Sequence, residues 1–507
     1  MIEPRIDTSR LRPAKQSVMF DAAGTGRRLA SWNPPSGESI NNAVYRDLGK
    51  LRDRSKDVVR KSPHGASARD SFVANSVGTG IKPSPLIADA ELRKAKQLLW
   101  TDWTDEADAD ELTDFYGLES MVSGQLFSAG ECLVRLRPRF MSDGLAVPLQ
   151  LQVLAAEHLP LNQNWTQPNG NPVRAGVEFD ANLNKRVAYH VYRTHPGDRF
   201  STTNMAELVR VPAGQMLHVF RADEPGQIRG IPMISTVLLK LYELDQYDDA
   251  ELVRKKLVAM IALLLKRPVP EGMSAEELAE EWGGTAEGST GTATLEPGTM
   301  LPLAPGEEPS PFAPADVGGN YEAFIKVQLH ALAAGMGITY EQLTGDLRGV
   351  NYSSIRAGLL EFRRRIEAFQ HQTLVFKFCR PIWHAWLDAA VMSGALRIPD
   401  YGANRRIYRR VKWIPQAWPW VDPLKDRMAE LLAVRAGFKS RSDVIEAEGY
   451  DPEETEARIK ADNDRADQPE NGFIFDSDPR RTVKTGALQK AEDGVVADIG
   501  KEEGQTA

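Results

Sequence analysis

The sequence predicts an α+β fold of more than one domain, and three observations predict it. Its 507 residues exceed the size at which a single core keeps growing. Between about 131 and 221, short alternating segments separated by Gly, Pro and Asn point to antiparallel strands. From residue 230 the apolar positions switch to helical spacing, and long helices dominate the rest of the chain.

Composition narrows the class of protein. With 42% hydrophobic and 26% charged residues, the chain has the make-up of a soluble globular protein. The longest apolar run, "LVAMIALLL" at 257–265, is about half the roughly 20 residues of a membrane span. "MIEPRIDTSRLRP" at the start lacks the apolar segment of a secretory signal, so assembly in the cytoplasm is expected. Cys132 and Cys379 stand far apart and belong to no cluster, which suggests two core thiols instead of a disulfide framework or thiolate metal site. A net charge of −8 argues against a broad basic surface for nucleic acid and leaves only loose or local contact with DNA.

The elements follow in order. Residues 41–62, "NNAVYRDLGKLRDRSKDVVRKS", form a basic helix whose charged side is read as a solvated face ahead of a nucleic-acid patch. Phe72, Val73 and Val77 then fit a second helix stopped by Gly78. "ECLVRLRPRF", "LQLQVLAAEHL", "RVAYHVYRT" and "QMLHVFRA" supply the strands, and with the two helices make one compact α+β domain. From Pro232, residues Ile234, Leu238, Leu241 and Leu244 recur at helical spacing until Pro268. That predicts one strut helix of roughly 34 residues, about 50 Å long.

After the strut come a short helix capped by the box of Ser274 and Glu277, a Gly/Thr/Pro-rich stretch with short strands at most, and a return helix over 319–335. The polar segment 337–351 carries Gly337, Gly345 and Gly349 close behind Gly335, four glycines read as sources of backbone freedom. Its roughly fifteen residues exceed an ordinary helix connection. Asn351 can cap the next helix, where Ile355, Leu359, Phe362, Ile366 and Phe369 alternate at spacings of four and three until Pro381 kinks or breaks it. On its polar side Glu361 pairs with Arg365 and Arg363 with Glu367. Near the end, Asp422 is an N-cap with Pro423 the first helical residue and Gly437 the stop, and further helices run from Ser440 to Gly449 and from Asp451 onward. Beyond Asp467 the charged tail has too little apolar content to fold alone.

Catalytic motifs are not found. "NSVGTGIKPS" at 75–84 lacks the lysine and hydroxyl of a phosphate loop, and "GTGRRL" at 24–29 lacks the third glycine and preceding strand of a dinucleotide fingerprint, so it reads as a turn. The eight histidines include no H-E-x-x-H; His384 and Asp388, four apart, read as a helix surface pair. No G-x-S-x-G is present. The sequence offers no cofactor or metal site and no residues on which to build an enzyme.

Four strings in order carry a resemblance: "YRDLGKLRDRSKDVVRKSPHGASARDSFVANSVGTGIKP", "HVFRADEPGQIRGIPMIS", "QLTGDLRGVNYSSIRAGLLEFRR" and "WPWVDPLKDRMAELLAVRAGFKSRSDVI". They resemble the portal proteins of lambda-type tailed bacteriophages over roughly residues 20–465. The resemblance implies a ring of usually about twelve subunits, set at one capsid vertex, through which double-stranded DNA is packaged and ejected. It implies a virion protein, not an enzyme, with wing, stem, clip and crown regions. Its implied partners are its own copies, the terminase large subunit, head-tail adaptor proteins, the major capsid and scaffold proteins, and DNA without sequence specificity. A different ring-forming head-tail adaptor stays as the alternative, and a packaging ATPase is disfavoured by the missing phosphate loop.

Laid on this chain, the resemblance divides it into an N-terminal arm (1–40), wing (41–230), stem helix (231–267), clip (268–315), stem return helix (316–336), channel loop (337–351), long helix with wing return (352–420), crown (421–466) and disordered tail (467–507). In the family the loop after the return helix projects into the channel. That makes Gln342, Thr344, Asp346, Arg348 and Asn351 the expected DNA contacts, with Asp346 limiting adhesion. Glu276, Glu277 and Glu280 are expected to dock the motor at the clip. Arg363, Arg364 and Arg365 are expected to hold a neighbouring subunit or face the channel, with the structural role favoured over direct DNA binding.

Overall fold

The computed structural model describes residues 37–182, 185–198, 207–260, 263–265, 272, 300–302, 321–418 and 423–468. "GTGRRL", Ser274, Glu276, Glu277, Glu280, Asp422 and the tail lie outside them.

Helix α1 (Ile40–Lys61) starts at Ser39, whose hydroxyl accepts from Asn41 N, and buries Val44, Leu48 and Val59 along one stripe. Ser62 ends α1 and caps α2 (Pro63–Ser76), with Pro63 in the first turn where its missing N–H costs nothing. Gly78 follows at φ +58°. Strand β1 (Lys82–Pro85) leads to α3 (Ala90–Glu106) and α4 (Phe115–Ala129), both capped by aspartates, Asp89 and Asp114.

The β region forms two sheets. Strands β2 (Glu131–Pro138), β3 (Leu149–Ala155) and β9 (Met216–Phe220) make an antiparallel sheet in the order β3-β2-β9. Strands β4 (Trp165–Thr166), β5 (Pro172–Arg174), β6 (Val177–Phe179), β7 (Arg186–Tyr192) and β8 (Leu208–Pro212) make a five-stranded antiparallel meander. Val177, Tyr189, Val191 and Val211 from the meander meet Leu133 and Met216 of the smaller sheet in a core of their own.

The strut is shorter than the sequence predicts. Helix α5 runs Leu238–Met260, 23 residues, and the chain from Pro232 to Val237 makes tight turns instead. There Ser235 N and Val237 N close tight turns on the carbonyls of Pro232 and Ile234, three residues back instead of four, while Met233 N donates to Phe127 O at the end of α4, at 3.1 Å. At the far end the apolar run leaves the helix, and β10 (Leu263–Leu265) pairs in parallel with β11 (Met300–Pro302). A short run apolar on all sides carries no periodicity to choose helix over strand.

Helix α6 (Tyr321–Met336) runs back along α5, and α7 (Tyr340–Thr344) forms a single turn after it. Helix α8 (Tyr352–Phe369) then passes without a break through a π-helical segment, Gln370–Cys379, into α9 (Arg380–Met392). Pro381 therefore does not break the helical run. It occupies the first turn of α9, behind a wider helix whose hydrogen bonds skip five residues, so its ring and missing N–H disturb no α-helical bond. After α10 (Tyr401–Tyr408), strand β12 (Val411–Ile414) pairs antiparallel with β1, which returns the chain to its first third. Helices α11 (Pro423–Arg435), α12 (Arg441–Ala447) and α13 (Pro452–Ala466) close the described chain, with Ser440 and Asp451 capping the last two and Gly437 at φ +75°.

One continuous core joins α2, α3 and α4 to α5, α6 and the α8–α9 rod. Its centre is aromatic: Trp100 lies 4.9 Å from Trp103, 5.1 Å from Trp383 and 5.1 Å from Trp386, ring centre to ring centre. Cys132 and Cys379 are buried and unpaired. Cys379 Sγ donates to Glu119 Oε1 at 3.2 Å, and burial pushes that carboxyl up to about 8. Asp388 does not pair with His384; Tyr401, Arg405 and Arg409 surround it instead.

Where β2, β9 and the approach to α5 meet, a buried ion pair fixes the junction. Arg229 Nε donates to Glu131 Oε1 at 2.9 Å, and its remaining N–H groups reach the carbonyls of Ala175 at 3.0 Å and Leu159 at 3.0 Å. Glu131 Oε2 also accepts from His218 Nε2 at 2.9 Å and from Gly230 N at 2.8 Å. Burial opposes ionisation of Glu131, but Arg229 and His218 outweigh it and hold the carboxyl well below the usual range. Burial also keeps His218 neutral, its pKa lowered to about 4, so its contact is a neutral hydrogen bond. Gly130, at φ +83°, lies so close to Ile231 and Pro232 that a Cβ would stand 2.2 Å from Ile231 C.

Replacing Glu131 by Gln leaves Arg229 buried without its counter-charge, and should cost about 3–5 kcal/mol in urea unfolding at pH 7. The folded pKa of Glu131 is depressed, so its contribution is present above the unfolded value of about 4.3 and is lost below it. The gap between variant and wild type should therefore close as the pH falls below about 4, and a constant gap would count against the ion pair as its source.

Candidate functional site

The α5–α6 hairpin and the segment after it are built from a few packed contacts. Leu329, Leu332, Ala333 and Met336 of α6 share a core with Val237, Leu238, Leu241 and Leu244 of α5 and its approach. Gly335 serves closeness, not freedom: it sits within α6, where a Cβ would come 2.2 Å from Val237 Cγ1. Toward the far end, Tyr321 Oη donates to Asp248 Oδ1 at 2.8 Å and Tyr321 stacks near Tyr247. Burial, reinforced by that carboxylate, pushes the Tyr321 phenol up to about 12.

The segment 337–351 is a folded knuckle. Gly337, at φ +77°, ends α6. Thr339 and Gln342 then form a reciprocal capping box, with Gln342 N donating to Thr339 Oγ1 at 3.3 Å and Thr339 N to Gln342 Oε1 at 3.0 Å. Leu343 is buried, and Ser67 Oγ of α2 donates to its carbonyl at 2.9 Å. Thr344 Oγ1 donates to Tyr340 O at 2.9 Å and accepts from Asp346 N at 3.1 Å. Tyr340 in turn stacks on His330 of α6 with ring centres 4.2 Å apart.

The five residues expected to touch DNA therefore have other duties. Gln342 and Thr344 hold α7, and Asn351 caps α8 by accepting from Ser354 N at 2.8 Å. Asp346 accepts a two-pronged contact from Arg348, with Nε at 2.9 Å and Nη2 at 3.1 Å, and is held below the usual carboxylate range by it. Of the five, Arg348 and Asn351 are exposed, the Arg348 side chain to 82%. Beside it Leu347, which sequence reasoning missed, is 64% exposed. The T-x-x-Q spacing of Thr339 and Gln342 was the signal that could have revealed the folded knuckle.

The three arginines separate. Arg363 lies over the ring of Trp418 at 5.3 Å, and the indole of Trp418 donates to Glu367 at 3.2 Å, so one ring touches both residues that the sequence pairs. Arg365 meets Glu361 at 3.4 Å and Arg364 is exposed. The same helix is tied to α11 by Arg356 and Asp426 at 2.8 Å. On the α5–α6 hairpin, Leu239, Tyr242, Leu252, Val253, Phe324 and Val327 are exposed although large and apolar. Among the described residues no group of three or more His, Cys, Asp or Glu could hold a metal ion, and no helix is long and apolar enough to cross a membrane.

The described chain is a mixed α/β body with an antiparallel helical hairpin and a folded knuckle after it, the architecture to which the similarities below apply. The comparisons give the family: residues 25–370 match the phage portal proteins of the lambda family, and the chain belongs to it. It is 26% identical over 469 residues to the probable portal protein of Halomonas phage phiHAP-1, covering 87% of this chain and 86% of that protein. It is 24% identical over 475 residues to portal protein B of Escherichia phage lambda, covering 85% and 86%, and 23% identical over 479 residues to the portal protein of Escherichia phage N15, covering 85% and 87%. Among solved structures it is similar to a chain in the neck of an empty gene transfer agent particle, with a TM-score of 0.40, 17% identity, and coverage of 84% of this chain and 99% of that one. The protein is thus a phage portal, a head-tail connector of the virion.

Leu343→Ala empties a buried site and should lower stability by about 2–4 kcal/mol, whereas Leu347→Ala should change it by less than about 0.5 kcal/mol. Thermal unfolding of the two variants checks this, and equal losses would mean that the knuckle does not pack as described.

Proposed function

We propose that copies of this chain close into a ring of about twelve at a capsid vertex, and that double-stranded DNA enters through it under the terminase motor and later leaves. The observation that carries the proposal is the apolar surface of the α5–α6 hairpin. Val327, 64% exposed, and Leu239, 70% exposed, belong to a face that a lone chain leaves in water and a neighbour would cover. Membership of the portal family supplies the setting.

Within the ring, the knuckle would present Leu347 and Arg348 to the DNA. Because Arg348 is already neutralised by Asp346, its contact with phosphate would be brief, which suits passage better than capture. Arg364 and Arg365 would face a neighbouring subunit or the channel. Glu276, Glu277 and Glu280 would dock the terminase large subunit, while head-tail adaptors, the major capsid protein and scaffold would meet other parts of the ring. The role is mechanical and needs no cofactor.

Val327→Asp together with Leu239→Asp should abolish rings in light scattering and electron microscopy while the circular dichroism spectrum stays that of the wild type; rings that persist would sink the proposed interface. Leu347→Ser with Arg348→Ala should give normal rings and capsids that retain less DNA, as should deletion of Thr344 to Gly349. Full retention by both would reduce the knuckle to a connector. Lysine at 276, 277 and 280 should weaken terminase binding without loss of rings, and lost rings would reassign those residues to subunit contact.

A further inference from the structure

A cavity of about 610 Å³ opens between α3, β1 and the start of α13. Its apolar lining comes from Pro83, Leu98, Trp100, Tyr116, Trp383 and Ile414. Trp383 is fully buried, and its indole N–H has no partner among the described residues.

The charges at its rim are unevenly committed. Asp451 caps α13 and accepts from Ser84 Oγ at 2.7 Å, Glu453 holds Arg93, and Glu454 holds Arg458. Lys82 and Lys94 also line the cavity, are exposed, and make no ion pair among the described residues; Glu91, exposed on the same lining, makes none either. An aromatic cleft with two available cations, Lys82 and Lys94, against one available carboxylate, Glu91, suits a short segment that is apolar and then acidic.

The chain carries such a segment close by. Residues 472–478 read "GFIFDSD": three large apolar residues followed by Asp476 and Asp478. We propose that Phe473, Ile474 and Phe475 of the same chain fill this cleft, with the two aspartates against Lys82 and Lys94. Length permits it. Helix α13 starts beside the cleft at Asp451 and ends at Ala466, 15 residues or about 22 Å away. The six residues from Asp467 to Gly472 span up to about 20 Å when extended, and Arg458, which also lines the cleft, lies nearer the helix end than Asp451 does. The docked tail would fasten α12 and α13 to α3 and β1, adding to a junction that otherwise rests on Arg93–Glu453, Lys412–Glu446 and the bonds of Asp451.

The test is a cysteine pair in the full-length chain, Leu98→Cys with Phe473→Cys, the two native cysteines being buried. Mild oxidation should give an intrachain disulfide, mapped by mass spectrometry, at least about tenfold more than a control pairing Phe473→Cys with Leu360→Cys on exposed α8. In the uncrosslinked protein, Lys82→Glu with Lys94→Glu should speed protease cleavage of the tail several-fold. Crosslinks between chains would mean that a neighbour's tail fills the cleft and would overturn the same-chain assignment. Equal yields at positions 98 and 360, or unchanged cleavage, would overturn docking altogether.

Discussion

The pair of Glu131 and Arg229 is the constraint on which the rest of the structure depends. It joins two passages of chain 98 residues apart at the point where the sheets give way to the helical hairpin. An ion pair taken out of water is costly unless every polar atom is answered. Here the guanidinium reaches one carboxylate and the carbonyls of two loops, and the carboxylate also takes His218 and Gly230. The close approach of Gly130 to Ile231 leaves the backbones no room to slide. Such a corner fixes the backbone at Glu131 and Gly230, from which the chain turns toward α5.

The stiffness continues along the hairpin to its base. Gly335 lets α6 close on Val237, α6 places His330 under Tyr340, and the capping box of Thr339 and Gln342 sets the turn that buries Leu343 against α2. The result is a knuckle whose polar side chains are nearly all used inside it. On the proposed reading, a ring of such knuckles meets DNA with a firm apolar residue and a self-neutralised arginine. Both would let a polyanion slide, because neither offers a net unpaired charge for phosphate to hold. Any movement of the knuckle would centre on Gly337, Gly345 and Gly349, the three glycines with positive φ at its corners.

Much of this was legible in the sequence where local chemistry decides the outcome. Asn351, Ser440 and Asp451 cap the helices they were expected to cap, and the apolar stripe of α8 turns Phe362, Ile366 and Phe369 inward. Misreadings arose where distant partners decide. Pro232 looked like a helix start, but the chain there closes tight turns, Ser235 on Pro232 and Val237 on Ile234, and is tied to α4 through Met233 and Phe127. Pro381 looked like a break, but a π segment absorbs it. Polar composition gave no hint that Gln342 and Thr344 also serve as local caps within the knuckle. The pairing of Glu131 with Arg229 had no local signal, since 98 residues separate the partners and their meeting depends on the order β3-β2-β9.

The most direct test of the account is to place a photoactivated benzophenone amino acid at position 347 and irradiate filled capsids. The account predicts crosslinks from this position to the packaged DNA, and few or none from the same probe at Met392, an exposed apolar residue at the end of α9. Crosslinks from position 347 to capsid protein alone would contradict it, because the knuckle would then face away from the channel.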